Sequence, residues 1–184
     1  MTLDTDMGRP RRVSKRANAD NVSRHNLVLF ELAGQAYALA MDEVQEIVPM
    51  AELSQPPGLP ALLAGLLNLE GSPVAVIRLS VLMGLPDVNL SLYTPLLILR
   101  NQDNRVALLV ERVMQTLSVP ASEILPIREN HSFNDCATGI IKWQNRTVLI
   151  ITAERLLLEK ERQCLAELEA AEQDRLRQLE DAKP

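Results

Sequence analysis

A chain of 184 residues with 47% apolar side chains has length enough for one domain with tails, or for two small subdomains, around a sizeable core. Aromatic residues are only 3% of it, so that core must be built from Leu, Val, Ile and Ala. The net charge of −5 is unevenly spread: residues 1–25 carry +3 and the rest −8, and an acidic, aromatic-poor body lacks the basic grooves and stacking rings of a nucleic-acid surface.

Residues 1–25 are polar, basic and aperiodic, which predicts a disordered leader; the functional alternative is a basic patch for acidic lipid or nucleic acid. The basic residues are not followed by the apolar segment a secretory signal requires. Leu27–Leu32 reads as a strand, Ala33-Gly34-Gln35 as a turn and Tyr37–Met41 as the returning strand. Asp42 looks like an N-cap and predicts a short helix over Glu43–Ile47, ending before Pro49. Ser54–Gly58 is a loop. Leu59 to Leu79 is expected to begin as a helical turn and pass a tight loop at Asn68-Leu69-Glu70-Gly71. It then enters a buried strand at Pro73, a residue suited to a strand's first position. Ser80–Met83 forms a helical turn closed by Gly84, and residues 85–94 connect.

Pro95–Arg100 and Arg105–Glu111 read as strands around a polar turn at Asn101–Asn104, and Gln115–Val119 as another. Residues 128–136 are loop-like. Ala137–Trp143 and Arg146–Thr152 pair across Gln144-Asn145. Many short strands at close spacing indicate an all-β body, a barrel pair or a sandwich. From Ala153 to about residue 182 the chain becomes rich in Ala, Leu, Glu and Arg, which predicts a long amphipathic helix. Its Leu158, Leu165, Leu168, Leu176 and Leu179 form a stripe that Glu161 and Glu172 interrupt. Either its first part packs on the β body and its end is solvated, or it serves as a coiled coil or partner helix.

Signs of chemistry are few. His25 and His131 have no metal-ligand spacing, and Cys136 and Cys164 match neither a metal nor a redox motif, so a reduced cytoplasmic setting is the default. There is no Gly-rich phosphate loop and no nucleophile elbow. A pair of carboxylates among the many Asp and Glu stays open on this reading. No apolar run approaches the ~18 residues of a membrane span. The chain is expected to act by presenting surfaces, with no cofactor, no nucleic acid and no membrane insertion.

The order of segments is informative. Val44-Gln45-Glu46-Ile47, a Pro-rich loop, Gly65 through Asn68-Leu69-Glu70-Gly71, a strand at Pro73, and Val110-Glu111-Arg112-Val113 follow one another. Over residues 26–158 this resembles the CheW family of chemotaxis coupling proteins, whose hallmarks are V-x-E-I, G-V-x-N-L-R-G, a V-P strand and a later V-D-x-V. The resemblance implies two small SH3-like five-stranded β-barrels packed together, the first near residues 33–92. The second would lie near 93–152, completed by part of a bridging strand at 27–32, with a helix after the last strand. It implies a non-enzymatic adaptor between the cytoplasmic tip of methyl-accepting receptors, held in a groove between the barrels, and the regulatory domain of a CheA-type histidine kinase.

Carried over by position, the partner-binding residues would be Val44, Glu46, Asn68, Leu69, Glu70, Gly71, Val110 and Val113. Three positions depart from the family pattern. Glu70 stands where the family has Arg, Glu111 where it often has Asp, and Arg78 where it usually has Asp or Asn. The opposite changes at Glu70 and Arg78 suggest a charge pair with its partners exchanged. The departure at Glu70 also leaves open a non-flagellar pathway, such as twitching or surface sensing, and a scaffold whose partner grips the C-terminal helix.

Overall fold

The structure, a computed structural model, describes residues 23–100, 105–127, 136–157 and 159–181. The leader up to residue 22, the turn expected at Asn101–Asn104, residues 128–135 of the expected loop with His131, and Leu158 of the leucine stripe lie outside the described residues.

Strand β1 (Arg24–Leu32) starts inside the expected leader and forms a hairpin with β2 (Gln35–Ala40). Ala33 and Gly34 both have positive φ, 50° and 74°, as the two-residue turn matched to strand twist requires. A 3-10 turn, Met41–Glu43, then leads into β3 (Val44–Pro49), so the helix expected at Glu43–Ile47 is a strand. Val44, Ile47 and Val48 are β-branched, which suits an extended backbone. The Asp42 signal is spent on the 3-10 turn, with no side-chain cap made there.

After β4 (Leu53–Ser54), β5 (Leu63–Leu69) and β6 (Ser72–Arg78) form the next hairpin. The expected helical turn shrinks to residues 61–62, closed by the Leu63 N–H donating to the Pro60 carbonyl at 2.9 Å. The rest is strand, because its alternate residues bury on opposite faces of a sheet. Helix α1 (Leu79–Leu82) follows and stops before Gly84 at φ 67°. Next come β7 (Pro95–Leu99), β8 (Val106–Leu109), β9 (Arg112–Pro120), β10 (Leu125–Pro126), β11 (Ala137–Trp143) and β12 (Arg146–Ile151). A second helix, α2 (Glu159–Asp181), ends the described chain.

The strands form two six-stranded sheets. Sheet I has the order β10-β11-β12-β2-β1-β9, and sheet II has β3-β7-β8-β6-β5-β4. Sheet II is one unbroken stretch of chain inserted between β2 and β9 of sheet I. The strands therefore do not divide at residues 92 and 93: β2 joins sheet I, while β7 and β8 join sheet II. β1 makes ladders only with β2 and β9, within sheet I. Among the described residues neither sheet closes into a barrel, and each has six strands where five were expected. The end strands β10 and β4 have two residues each, too few to register a closing ladder.

Continuous apolar runs such as Leu27-Val28-Leu29-Phe30 now have a cause: both faces are buried. Val28, Phe30 and Leu32 point into a core shared with Val44, Leu66, Ile77, Leu97 and Leu108 of sheet II. Leu27 and Leu29 point the other way, into sheet I's own core with Ile141, Val148 and Ile150. Sheet II has a matching inner core of Leu67, Val74, Val76, Leu96 and Leu109. Each sheet thus curls around a private core and leans its outer face on the other. Bulges between Leu29 and Phe30, Val44 and Glu46, Leu63 and Gly65, and Ala137 and Gly139 supply the curl. α2 joins the shared core through Leu165, 2% exposed, and Leu168.

Candidate functional site

The tip of the β5–β6 hairpin is a built feature. Leu69 and Ser72 are the last paired residues, and Glu70 and Gly71 span the turn at φ 52° and 81°. Asn68 secures it: its Oδ1 accepts the Gly71 N–H at 2.9 Å. Glu70 is exposed at the apex, and Leu69 is half-buried against sheet II's inner core. A carboxylate is thereby held outward on a rigid base, with Asn68 and Gly71 fixed beside it.

The remaining expected contact residues divide by burial. Val110 is 0% exposed and Val44 7%, and both lie in the shared core. They offer a partner no surface; each is a core residue that holds the two sheets together. Val113 on β9 is half-buried at the margin of that core. Glu46 is exposed on β3, between exposed Gln45 and Ile47. β3 ends sheet II, so its outer ladder side has no strand partner among the described residues.

These residues do not converge on one spot. β6 and β8 run parallel with Arg78 beside Leu109, so Val110 lies at the opposite end of sheet II from the hairpin tip. A strand of this length spans ~20 Å. The same geometry removes the Glu70–Arg78 pair. Arg78 instead donates to Asp87 at 3.0 Å, and Asp87 also accepts from the Ser80 hydroxyl at 3.1 Å, tying down the loop after α1.

Two carboxylates, Glu31 and the Glu43 expected in the first turn of a helix, organise the junctions. Glu31 Oε2 accepts from Arg146 at 2.9 Å and Arg112 at 3.1 Å, joining β1 to β12 and β9. The hydrogen bond from Arg146 leads in holding the Glu31 carboxyl below its ordinary range; burial opposes it, and Arg112 adds to the lowering. Glu43 Oε1 accepts from the Thr152 hydroxyl at 2.7 Å and the Ala153 N–H at 2.9 Å. It clamps the passage from sheet I to sheet II onto the segment leading to α2. All these partners are more than 80 positions away in the chain, so no local pattern marked either glutamate.

A hollow of about 630 Å³ opens at one end of sheet I, floored by Leu27, Ile124 and Ile150 and edged by His25, Asp42 and Glu43. Glu43 is committed as described, and it takes the hydroxyl of Thr152, which also lines the hollow; among the described residues no Ser, Cys or Lys does. Among the described residues no cluster of three or more His, Cys, Asp or Glu could hold a metal, and no helix is long and apolar enough to cross a membrane. α2 turns its apolar stripe toward sheet II, and among its described residues Leu179, near the end, is the one large apolar side chain that is exposed, at 58%.

Comparison with known proteins agrees with the architecture. Residues 26–161 match the family model described as CheW-like domain. Chemotaxis protein CheW of Thermotoga maritima is 21% identical over 77% of this chain and 93% of its own length. The Helicobacter pylori protein of that name is 27% identical over 75% and 84%, and the Bacillus subtilis one 26% over 71% and 85%. The crystal structure of the scaffolding protein TtCheW from Thermoanaerobacter tengcongensis superposes with a TM-score of 0.67 at 23% identity, covering 78% of this chain and 94% of that one. With two curled sheets, a connecting shared core, a closing helix and a family match over most of its length, this chain belongs to the CheW-like domain family.

Proposed function

We propose that this chain is a non-enzymatic adaptor of chemotaxis-type signal transduction, coupling methyl-accepting receptors to a CheA-type histidine kinase. The observation that carries this reading is the CheW-like match across residues 26–161, which takes in both sheets. The geometry supports a surface role. β3 presents an open strand edge with Gln45, Glu46 and Ile47 exposed, a form suited to main-chain pairing with specificity from alternate side chains. The β5–β6 tip presents Glu70 on a braced turn.

In this reading Glu46, Asn68, Leu69, Glu70, Gly71 and Val113 contact partners, while Val44 and Val110 shape the surface from behind. The kinase's regulatory domain and the cytoplasmic tip of the receptor are the two partners, and the protein works in the cytoplasm, reaching receptor arrays through them. Binding of the full chain to an isolated kinase regulatory domain, and separately to a receptor-tip fragment, tests the proposal. Binding to neither would sink it. Glu46→Lys and Glu70→Arg then ask which surface serves which partner.

A further inference from the structure

The buried stripe of α2 carries charge where apolar side chains are usual. Leu165, Leu168, Glu169, Glu172 and Leu176 follow one another at helical spacing along one face. The two leucines enter the shared core, and the two glutamates come next on the same face. Glu172 is 7% exposed, and Arg175 answers it at 2.9 Å. Glu169 has no such answer: its Oε1 is buried without a hydrogen bond.

The charged groups on elements beneath and beside the helix are Glu52 before β4, Glu70 at the hairpin tip, Arg78 at the end of β6 and Arg105 before β8. Arg78 is taken by Asp87, Arg105 is exposed and makes no ion pair with Glu169, and Glu52 and Glu70 carry the same sign as an ionised Glu169. Burial pushes the Glu169 carboxyl up to about 7, with the backbone N–H of Ala75 acting in the opposite sense.

The distal part of α2 is lightly held. Gln173 Nε2 donates to the Gly71 carbonyl at 3.3 Å and Arg175 to the Ser54 hydroxyl at 3.1 Å, both at exposed positions. A cleft of about 270 Å³, bordered by Leu66, Asn68, Pro73, Arg175 and Leu176, remains between helix and sheet. That is room for several waters, so the contact is incompletely dry.

We propose that residues 169–181 form a proton-controlled cover, seated on β4, β5 and β6 when Glu169 is neutral and released when it ionises. A neutral carboxyl fits the interface at small cost, whereas an unpaired carboxylate there must regain water. Seating binds the proton, so it is strongest in acid. It weakens as pH rises from the ordinary carboxylate value of 4.5 toward 7, and is constant above that. Release uncovers Ser54, Leu66 and Pro73, which share one face of sheet II, and frees the Gly71 carbonyl. This inference stands apart from the partner reading, since it concerns the chain alone.

The test is energy transfer in the full chain between dyes on Ala51→Cys and Leu179→Cys, both exposed positions. Cys164→Ala leaves buried Cys136 as the remaining native thiol. Transfer should fall between pH 5 and pH 8, with a seating constant at least ~10-fold smaller at the higher pH. Glu169→Gln, neutral at every pH, should keep transfer high throughout, and Glu172→Gln should leave the fall in place. If Glu169→Gln does not fold, Glu169→Met serves as the neutral, flexible replacement. A flat profile in the parent chain, or an equal fall in the neutral variants, overturns the proposal.

Discussion

Gly65, at φ 156°, and Gly71, in the turn, belong to the same hairpin, and replacing each by Ala compares crowding added to backbone strain with strain alone. A Cβ built on Gly65 would lie 2.7 Å from the Leu53 Cβ and 2.8 Å from the Ser54 carbonyl oxygen. Neither neighbour is the loose end of a side chain. To make room, β4 must shift as a unit, and that breaks the pairs Leu53–Leu67 and Ser54–Leu66. Overpacking of this kind costs about 3 kcal/mol. Gly71 has nothing within 4 Å of its Cβ position, but its φ of +81° is strained for Ala, a penalty of about 1 kcal/mol. For a chain of this size the first change should lower Tm by roughly 6–12 °C and the second by roughly 2–4 °C. Urea denaturation followed by far-ultraviolet circular dichroism and by the fluorescence of Trp143, which lies in sheet I, would give both numbers. The two probes should coincide, because the shared core couples the sheets. The reasoning fails if Gly65→Ala is the milder change, or if Trp143 reports a separate transition.

Val110→Ala should destabilise the fold by about 2 kcal/mol, while Glu46→Lys should stay within ~0.5 kcal/mol of the parent in the same urea titration. Glu31→Gln removes a carboxylate whose pKa is held down by Arg146 and Arg112. That stabilisation is present above the ordinary carboxylate pKa and is lost as pH falls through the lowered one. The stability gap between parent and variant should therefore be widest at pH 7 and should narrow as pH falls below the ordinary carboxylate value of 4.5, as measured by denaturant midpoints at each pH. Ala33→Asn places a residue tolerant of left-handed angles at φ 50° and should raise Tm by a few degrees in a thermal scan.

Strands buried on both faces were legible because their apolar runs are continuous: Leu27–Phe30, Pro95–Leu99 and Val106–Leu109 need no partner to be recognised. Val44–Pro49 was obscured by the capping signal at Asp42, and its extended form is settled by pairing with β7, about 50 positions away. Leu63–Leu69 hid because small and apolar residues suit a helix as readily as a strand, and only its partner β6 decides. Sheet membership is a property of distant pairings: the β1–β2 and β7–β8 hairpins were legible, but a division near residues 92 and 93 parts β2 from β12 and β8 from β6. The hairpin tip, by contrast, is local, and Asn68-Leu69-Glu70-Gly71 announces a tight turn by chemistry alone. The spacing of Glu169 within the α2 stripe was on the page of the sequence, but its lack of a cation depends on which face meets sheet II.

The insertion of sheet II into sheet I carries a consequence for the order of assembly. Residues 44–109 hold every strand of sheet II, so on an emerging chain its ladders can form before β9 exists. Sheet I must wait, since β1 finds its second neighbour only when β9 arrives, with Arg24 and Ser118 lying 94 positions apart. Until then the β1–β2 hairpin, among the most apolar segments of the chain, has both outer ladder sides and one oily face without a cover. Nascent chains of this family member are thus most prone to stick to one another during that interval, and slowing synthesis between residues 110 and 150 should lower the soluble yield without altering the finished protein.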